Sequence, residues 1–154
     1  MLLSDILKPE AVKSLSKPTG KKRVLQEIAA IASASYGLNS DEAFNALLDR
    51  ESLGPTGVGE GVAIPHARLP GLNSVMGVFC RLDKPVDFES VDRQPVDIFF
   101  GLFAPEGSGV EHLKALALVS RLLRDPAIRS KIRSNEGEST LFAILTELAE
   151  NKAA

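Results

Sequence analysis

His66 and His112 are the only two imidazoles in this 154-residue chain. A neutral imidazole is a good nucleophile near pH 7, its ordinary pKa being about 6.5. His66 closes the run Gly61-Val62-Ala63-Ile64-Pro65-His66. Val62 to Ile64 is short and apolar, which predicts a buried strand. Pro65 has no backbone N–H to give to a central ladder, so pairing is expected to stop there and leave His66 just past a strand end. Upstream, residues 53–61 hold four glycines and one proline, a loop whose backbone can approach another molecule closely. On these residues alone His66 could equally be a nucleophile or the cap of a turn.

His112 follows Ser108-Gly109-Val110-Glu111, which reads as a capping box and puts His112 in the first turn of a helix. The free N–H groups and the dipole there disfavour a protonated ring, yet a neutral one can still donate to a phosphoryl oxygen. Spacing alone favours a different role, because His112 shares a helical face with Leu116, Val119 and Leu123 as a core histidine. Arg50 lies sixteen residues before His66, at a helix end next to the glycine-rich loop. Its planar fork of donors suits phosphate oxygens, although the helix dipole alone would account for a cation there. Two histidines and one cysteine without ligand spacing argue against zinc. Ser108 lacks the flanking glycines of a nucleophile elbow, and the glycine loop lacks the Lys-Ser/Thr ending of a P-loop.

The run Arg50-Glu51-x-Leu53-Gly54-x-Thr56-Gly57-Val58-Gly59-x-Gly61-Val62-Ala63-Ile64-Pro65-His66-Ala67 resembles the phosphohistidine signature of the fructose/mannitol-type enzyme IIA domains. These belong to the bacterial phosphoenolpyruvate-dependent phosphotransferase system. The resemblance extends to Glu111-His112-Leu113 and the helix after it, and covers nearly the whole chain. As a free-standing domain it looks most like the nitrogen-related, regulatory branch of that family. Three positions depart from the pattern: Pro55 where a small polar residue is common, Glu60 where asparagine is common, and Arg93 where a turn glycine is expected after Asp92.

The resemblance implies that His66 carries the phosphoryl group at its tele nitrogen, with His112 and Arg50 supporting transfer and the Thr56 hydroxyl offered to the phosphate. It implies no cofactor and no metal. The donor would be a histidine-containing phosphocarrier protein. The acceptor side would be regulatory target proteins, nitrogen- or potassium-related, or else a IIB component of a fructose/mannitol-type sugar permease. Outside that family, a non-catalytic α/β binding module would use the glycine loop for recognition alone.

Composition narrows the field. Eighteen basic residues against twenty acidic ones leave a net charge of −2, and no basic stripe supports a nucleic-acid partner. The single cysteine, Cys80, forbids an internal disulfide and fits a reducing cytoplasm. Asp5 interrupts any signal-like N-terminus, and the longest apolar run, Ile98 to Ala104, is far short of the roughly 20 residues that span a bilayer. Direct membrane insertion is therefore not expected. A chain of this length is expected to form one domain, residues 1–154.

The elements that must position these groups follow from periodicity. A docked N-terminal segment, with a short strand near Ala11 to Leu15, precedes a helix from Lys21 to Tyr36 that Gly37 ends. Val24, Ile28 and Ile31 share one side of that helix. A second helix starts from Asn39, with Glu42 completing a box-like cap; Phe44, Leu47 and Leu48 are expected to face the core. Three strands follow: Val62 to Ile64, Val75 to Leu82 and Val96 to Phe103. The last two, apolar on both faces, belong in the middle of a covered sheet, with an irregular loop or hairpin between them. Helices over Gly109–Leu123, Pro126–Arg133 and Ser139–Glu150 complete the chain, and residues 151–154 are expected to fray. Helices before and after the strands predict an α/β fold, a three-layer α/β/α sandwich with a mixed central sheet.

Overall fold

A computed structural model describes residues 1–107 and 109–153, the last three of them by backbone alone. After a 3₁₀ turn at Leu3–Asp5, the elements are β1 (Leu7–Leu15), α1 (Lys21–Tyr36), α2 (Ser40–Ser52), β2 (Gly57–Gly59), β3 (Val62–Ala63), β4 (His66–Leu69), β5 (Met76–Val86), β6 (Val96–Pro105), α3 (Gly109–Arg124), α4 (Pro126–Arg133) and α5 (Glu138–Ala153).

Helix ends follow their capping residues. Gly37 takes φ 75°, a left-handed conformation natural to glycine, and its N–H closes α1 onto the Ser33 carbonyl at 2.9 Å. The Asn39 side chain accepts the Glu42 N–H at 3.0 Å to start α2, and Asp125 accepts the Ala127 N–H at 2.9 Å to start α4 behind Pro126. The expected Ser108 cap of α3 and the fraying of Ala154 lie outside the described residues, and α5 continues to Ala153 rather than stopping at Glu150.

The six strands form one mixed sheet in the order β1-β5-β6-β3-β2, with β4 also paired to β6. β1 runs parallel to β5, β5 antiparallel to β6, and β3 and β4 both parallel to β6. β5 and β6 occupy the middle and are buried along most of their length, as two-sided apolar strands should be. Their four phenylalanines Phe79, Phe99, Phe100 and Phe103 are fully buried, with Phe79 and Phe100 packed edge-to-face at 6.1 Å between ring centroids. α1 and α2 pack on each other and on β5 and β4, while α3, α4 and α5 pack together and on β6 and β1. Gly101 of β6 lets α1 come close, since a Cβ there would lie 2.7 Å from Ile28 Cγ2.

Several expectations need correction. The sheet has six strands rather than the four expected, the additions being β2 and β4, and β1 begins at Leu7 rather than near Ala11. Leu48 is not a core residue, being 39% exposed on α2. Pairing also does not end at Pro65. Its carbonyl accepts the Leu102 N–H at 2.9 Å, and β4 then resumes the parallel ladder on β6 with His66 opposite Leu102. A proline removes a donor but leaves its acceptor, so it interrupts one edge of the ladder without turning the chain away.

Candidate functional site

Side chains alternate across a strand, so His66 and Arg68 of β4 share one side and Ala67 and Leu69 the other. Ala67 and Leu69 are buried, whereas His66 is half-buried and Arg68 exposed. His66 and Arg68 line a cavity of about 630 Å³ together with Asp49, Arg50 and Leu53 from the end of α2 and His112 from the first turns of α3. Three of the four residues singled out in the sequence, His66, His112 and Arg50, therefore meet at one place.

The His66 ring is oriented by its own strand. Its Nδ1 lies 2.8 Å from the Ile64 carbonyl oxygen. A carbonyl can only accept, so Nδ1 carries the ring proton and Nε2 keeps the lone pair. The ring centroids of His66 and His112 stand 5.4 Å apart, edge to face. Burial lowers the pKa of His66, with the Arg50 charge acting the same way against the opposing Ile64 bond and Glu51. Burial also lowers that of His112, helped by His66 and Arg68. Both rings are accordingly neutral at pH 7.

His112 is buried, and its Nε2 has no hydrogen-bond partner among the described residues. Its Nδ1 is held by Arg68, whose Nε donates to it across 3.3 Å. Arg68 was missed in the sequence because β4 itself was missed; once His66 begins a strand, the i, i+2 alternation points straight to it. Arg50 donates from Nη1 to the Gly54 carbonyl at 3.0 Å and forms no ion pair among the described residues, leaving the rest of its fork for an anion.

Thr56 is not part of this cavity lining. It is buried, and its hydroxyl donates to the Glu51 carboxylate. Glu51 also pairs with Lys21 Nζ at 3.0 Å, so the set ties the start of α1 to the end of α2 and the glycine loop. Beyond Leu53 the loop approaches its own chain rather than opening onto the cavity. Gly57–Gly59 pairs with β3 as β2, and a Cβ on Gly61 would sit 3.0 Å from Asp97 Oδ1. Among the described residues no group of three or more His, Cys, Asp or Glu side chains is placed to hold a metal ion, and no helix is long and apolar enough to cross a membrane.

A neutral nucleophilic nitrogen beside an uncompensated guanidinium and a second neutral imidazole suits transfer of an anionic group. Comparison with known proteins agrees. Residues 5–148 match the family model described as "Phosphoenolpyruvate-dependent sugar phosphotransferase system, EIIA 2". The chain is 50% identical to a nitrogen regulatory protein of Bradyrhizobium diazoefficiens over 94% of its own length and 95% of the relative's. It is 33% identical to the fructose-specific EIIABC component of Bacillus subtilis, covering 96% of this chain but 23% of that longer protein. The crystal structure of nitrogen regulatory protein IIA-Ntr from Neisseria meningitidis superposes with a TM-score of 0.86 at 33% identity, covering 94% of this chain and 99% of that one. Motif, fold and relatives converge, and the chain belongs to the EIIA type 2 family of the phosphoenolpyruvate-dependent sugar phosphotransferase system.

Proposed function

We propose that this protein is a phosphohistidine carrier in which Nε2 of His66 accepts a phosphoryl group from a phosphohistidine of a small histidine-containing carrier protein. The observation that carries this is the 2.8 Å contact from His66 Nδ1 to the Ile64 carbonyl. It commits the proton to Nδ1 and presents the Nε2 lone pair, already neutral, to an incoming phosphorus. As the bond to Nε2 forms, the phosphorus–nitrogen bond to the donor ring breaks, and its electron pair returns to that ring. In such a transfer the protein mainly positions groups and stabilises charge. Arg50 supplies a guanidinium for the phosphoryl oxygens, and His112 Nε2–H is a buried donor that such an oxygen would satisfy. Thr56 acts one step back, by holding Glu51 and the loop beside Arg50.

A protein donor finds a suitable surface here. Leu53, 83% exposed, lines the cavity, and Leu113, 66% exposed, follows His112. The described residues build one sheet on one core, which supports a single phosphocarrier domain over residues 1–154; the cytoplasm is the compartment we assign to it, in keeping with its one free cysteine, Cys80.

A regulatory role is favoured by near end-to-end similarity at 50% identity to a nitrogen regulatory protein; nitrogen- or potassium-related components are the targets we assign to it. Delivery to a IIB component for sugar uptake is the second reading, favoured by the 33% identity to a fructose-specific component. Incubation with phosphoenolpyruvate and the two upstream carriers should add one acid-labile phosphate to the wild type and none to His66→Ala. Arg50→Ala and His112→Ala should fold and accept it roughly 10²–10³-fold more slowly. Pull-downs from cell extract with wild type, His66→Ala and His66→Glu then separate the two roles. A partner lost only with the glutamate marks a phosphorylation switch, since the added charge repels and desolvates at the contact. Equal retention by all three favours sugar transport.

A further inference from the structure

A second cavity, of about 410 Å³, shares no residue with the one at His66 and has a lining of a different kind. One wall is apolar, formed by Val62 and Ile64 on the sheet side and Leu123 of α3, each no more than 5% exposed. The other carries two guanidinium groups and a hydroxyl, from Arg124, Arg129 and Ser120. Arg129 is already held in place. Its Nη1 donates to the Leu123 and Arg124 carbonyls at 3.0 and 2.7 Å, and its side chain is only 12% exposed. Its Nη2 lies 3.9 Å from the Glu60 carboxylate, beyond hydrogen-bond reach. Arg124 Nη2 stands 3.5 Å from Ser120 Oγ and forms no ion pair among the described residues. The pocket thus holds two positive charges against one, and the one negative charge, on Glu60, sits on a side chain 76% exposed.

We propose that this cavity binds a small organic monocarboxylate with a branched aliphatic body. The carboxylate meets Arg124, Arg129 and Ser120, while the body covers Val62, Ile64 and Leu123. A net charge of one suits a monoanion, and Glu60 at the rim opposes a dianion such as phosphate. The volume is that of a small-molecule site, and an apolar wall with a few convergent polar groups is the usual make-up of one. Ile64 connects the two cavities: it lines this one, and its carbonyl accepts the proton-bearing Nδ1 of His66. A ligand packed on Ile64 therefore bears on the orientation of the His66 ring, a consequence that rests on the phosphocarrier role, whereas the binding itself does not.

The test is a titration of the ¹⁵N-labelled full chain with 4-methylpentanoate, followed by amide and imidazole resonances. Saturable shifts are expected at Val62, Ile64, Ser120, Leu123 and Arg124, together with a shift of His66 Nδ1. Arg124→Gln, a change at the cavity's outer wall, should weaken binding about tenfold by removing a charge-assisted bond. The uncharged 4-methylpentanamide and inorganic phosphate should both bind at least about tenfold more weakly. The proposal is overturned by absence of saturable shifts, by equal binding of the amide (an apolar hollow only), or by equal binding of phosphate (a generic charged patch). Unchanged affinity in Arg124→Gln overturns it as well. None of these outcomes depends on whether His66 is phosphorylated.

Discussion

Nε of Arg68 donates to Nδ1 of His112 across 3.3 Å, and this bond decides how the second imidazole can act. An accepting nitrogen bears no proton, so the ring's proton sits on Nε2, buried and without a partner among the described residues. An unmet buried donor costs about 1–3 kcal/mol. A phosphoryl oxygen arriving beside His66, whose ring centroid is 5.4 Å away, would recover that cost. A group satisfied only as the reaction proceeds lowers the barrier rather than merely tightening binding.

Arg68 is accordingly a positioning residue. In Arg68→Ala the His112 tautomers should mix and its pKa should rise, because a cation that depresses it is gone. Phosphorylation of His66 should slow by about 10–100-fold, the usual effect of losing a partner that orients a functional ring. Arg68→Lys, still able to donate to Nδ1, should recover much of the rate. Imidazole ¹⁵N shifts read the tautomer directly, and an unaltered Nε2–H form in the alanine variant would contradict this role.

The pH response has a definite sign. Both histidines have folded pKa values lowered first by burial, so the native state binds protons more weakly than the unfolded chain. Their contribution to stability is full above the ordinary value of about 6.5 and is lost as pH falls below it towards the lower folded values. Phosphate acceptance should likewise hold from pH 7 through 6.5 and decline only below. Histidine titration by NMR checks this, and a midpoint above 6.5 for His66 would reverse the prediction.

Thr56 and Glu51 should matter for stability rather than for the chemical step. The Glu51 carboxylate is shielded from solvent and held by Lys21 at 3.0 Å and by the Thr56 hydroxyl. Thr56→Val removes one donor from a buried charge and should cost about 1–3 kcal/mol. Glu51→Ala, which leaves Lys21 only the exposed Glu89 at 3.7 Å, should likewise cost about 1–3 kcal/mol. Denaturant titration measures both. At a temperature where the Thr56→Val protein is folded, its phosphorylation rate should match the wild type, and a hundredfold loss would return Thr56 to the phosphate site.

Two of the three departures from the family pattern fall where the backbone is left-handed: Glu60 at φ 59° and Arg93 at φ 62°. Non-glycine residues pay roughly 1–2 kcal/mol there. Glu60 is kept in place by its N–H on Asp92 Oδ2 at 3.0 Å and its carbonyl on Arg133 Nη2 at 2.7 Å. After glycine's larger unfolded-state entropy is subtracted, Arg93→Gly should still stabilise the protein by roughly 0.5–1 kcal/mol. A drop in the melting temperature would contradict this.

What the sequence disclosed depended on how local the signal was. α1 and α4 were legible to the residue; Gly37 ends the first, and the structure shows Asp125 and Pro126 starting the second, each by its own chemistry. β4 was not, since Pro65 looks like a terminator when only its missing donor is considered and the neighbour that uses its carbonyl, Leu102, lies far along the chain. Losing β4 concealed Arg68, although His66 and Arg68 stand two residues apart. Thr56 looked available for the same reason: the carboxylate that binds it, on Glu51, is near in sequence, but both are buried in a fold that also brings Lys21, thirty residues upstream, against Glu51.

With Nε2 of His66 as the nucleophile, the phosphorus–nitrogen bond must form at that atom, and locating this bond is the most direct measurement. Phosphorylating ¹⁵N-histidine-labelled protein with phosphoenolpyruvate and its upstream carriers, then recording ¹⁵N and ³¹P spectra at alkaline pH, identifies the bonded nitrogen. One phosphate on Nε2 of His66, with Nδ1 still facing the Ile64 carbonyl, is the predicted result. A phosphate on Nδ1, on His112, or on any residue in His66→Ala would contradict the account.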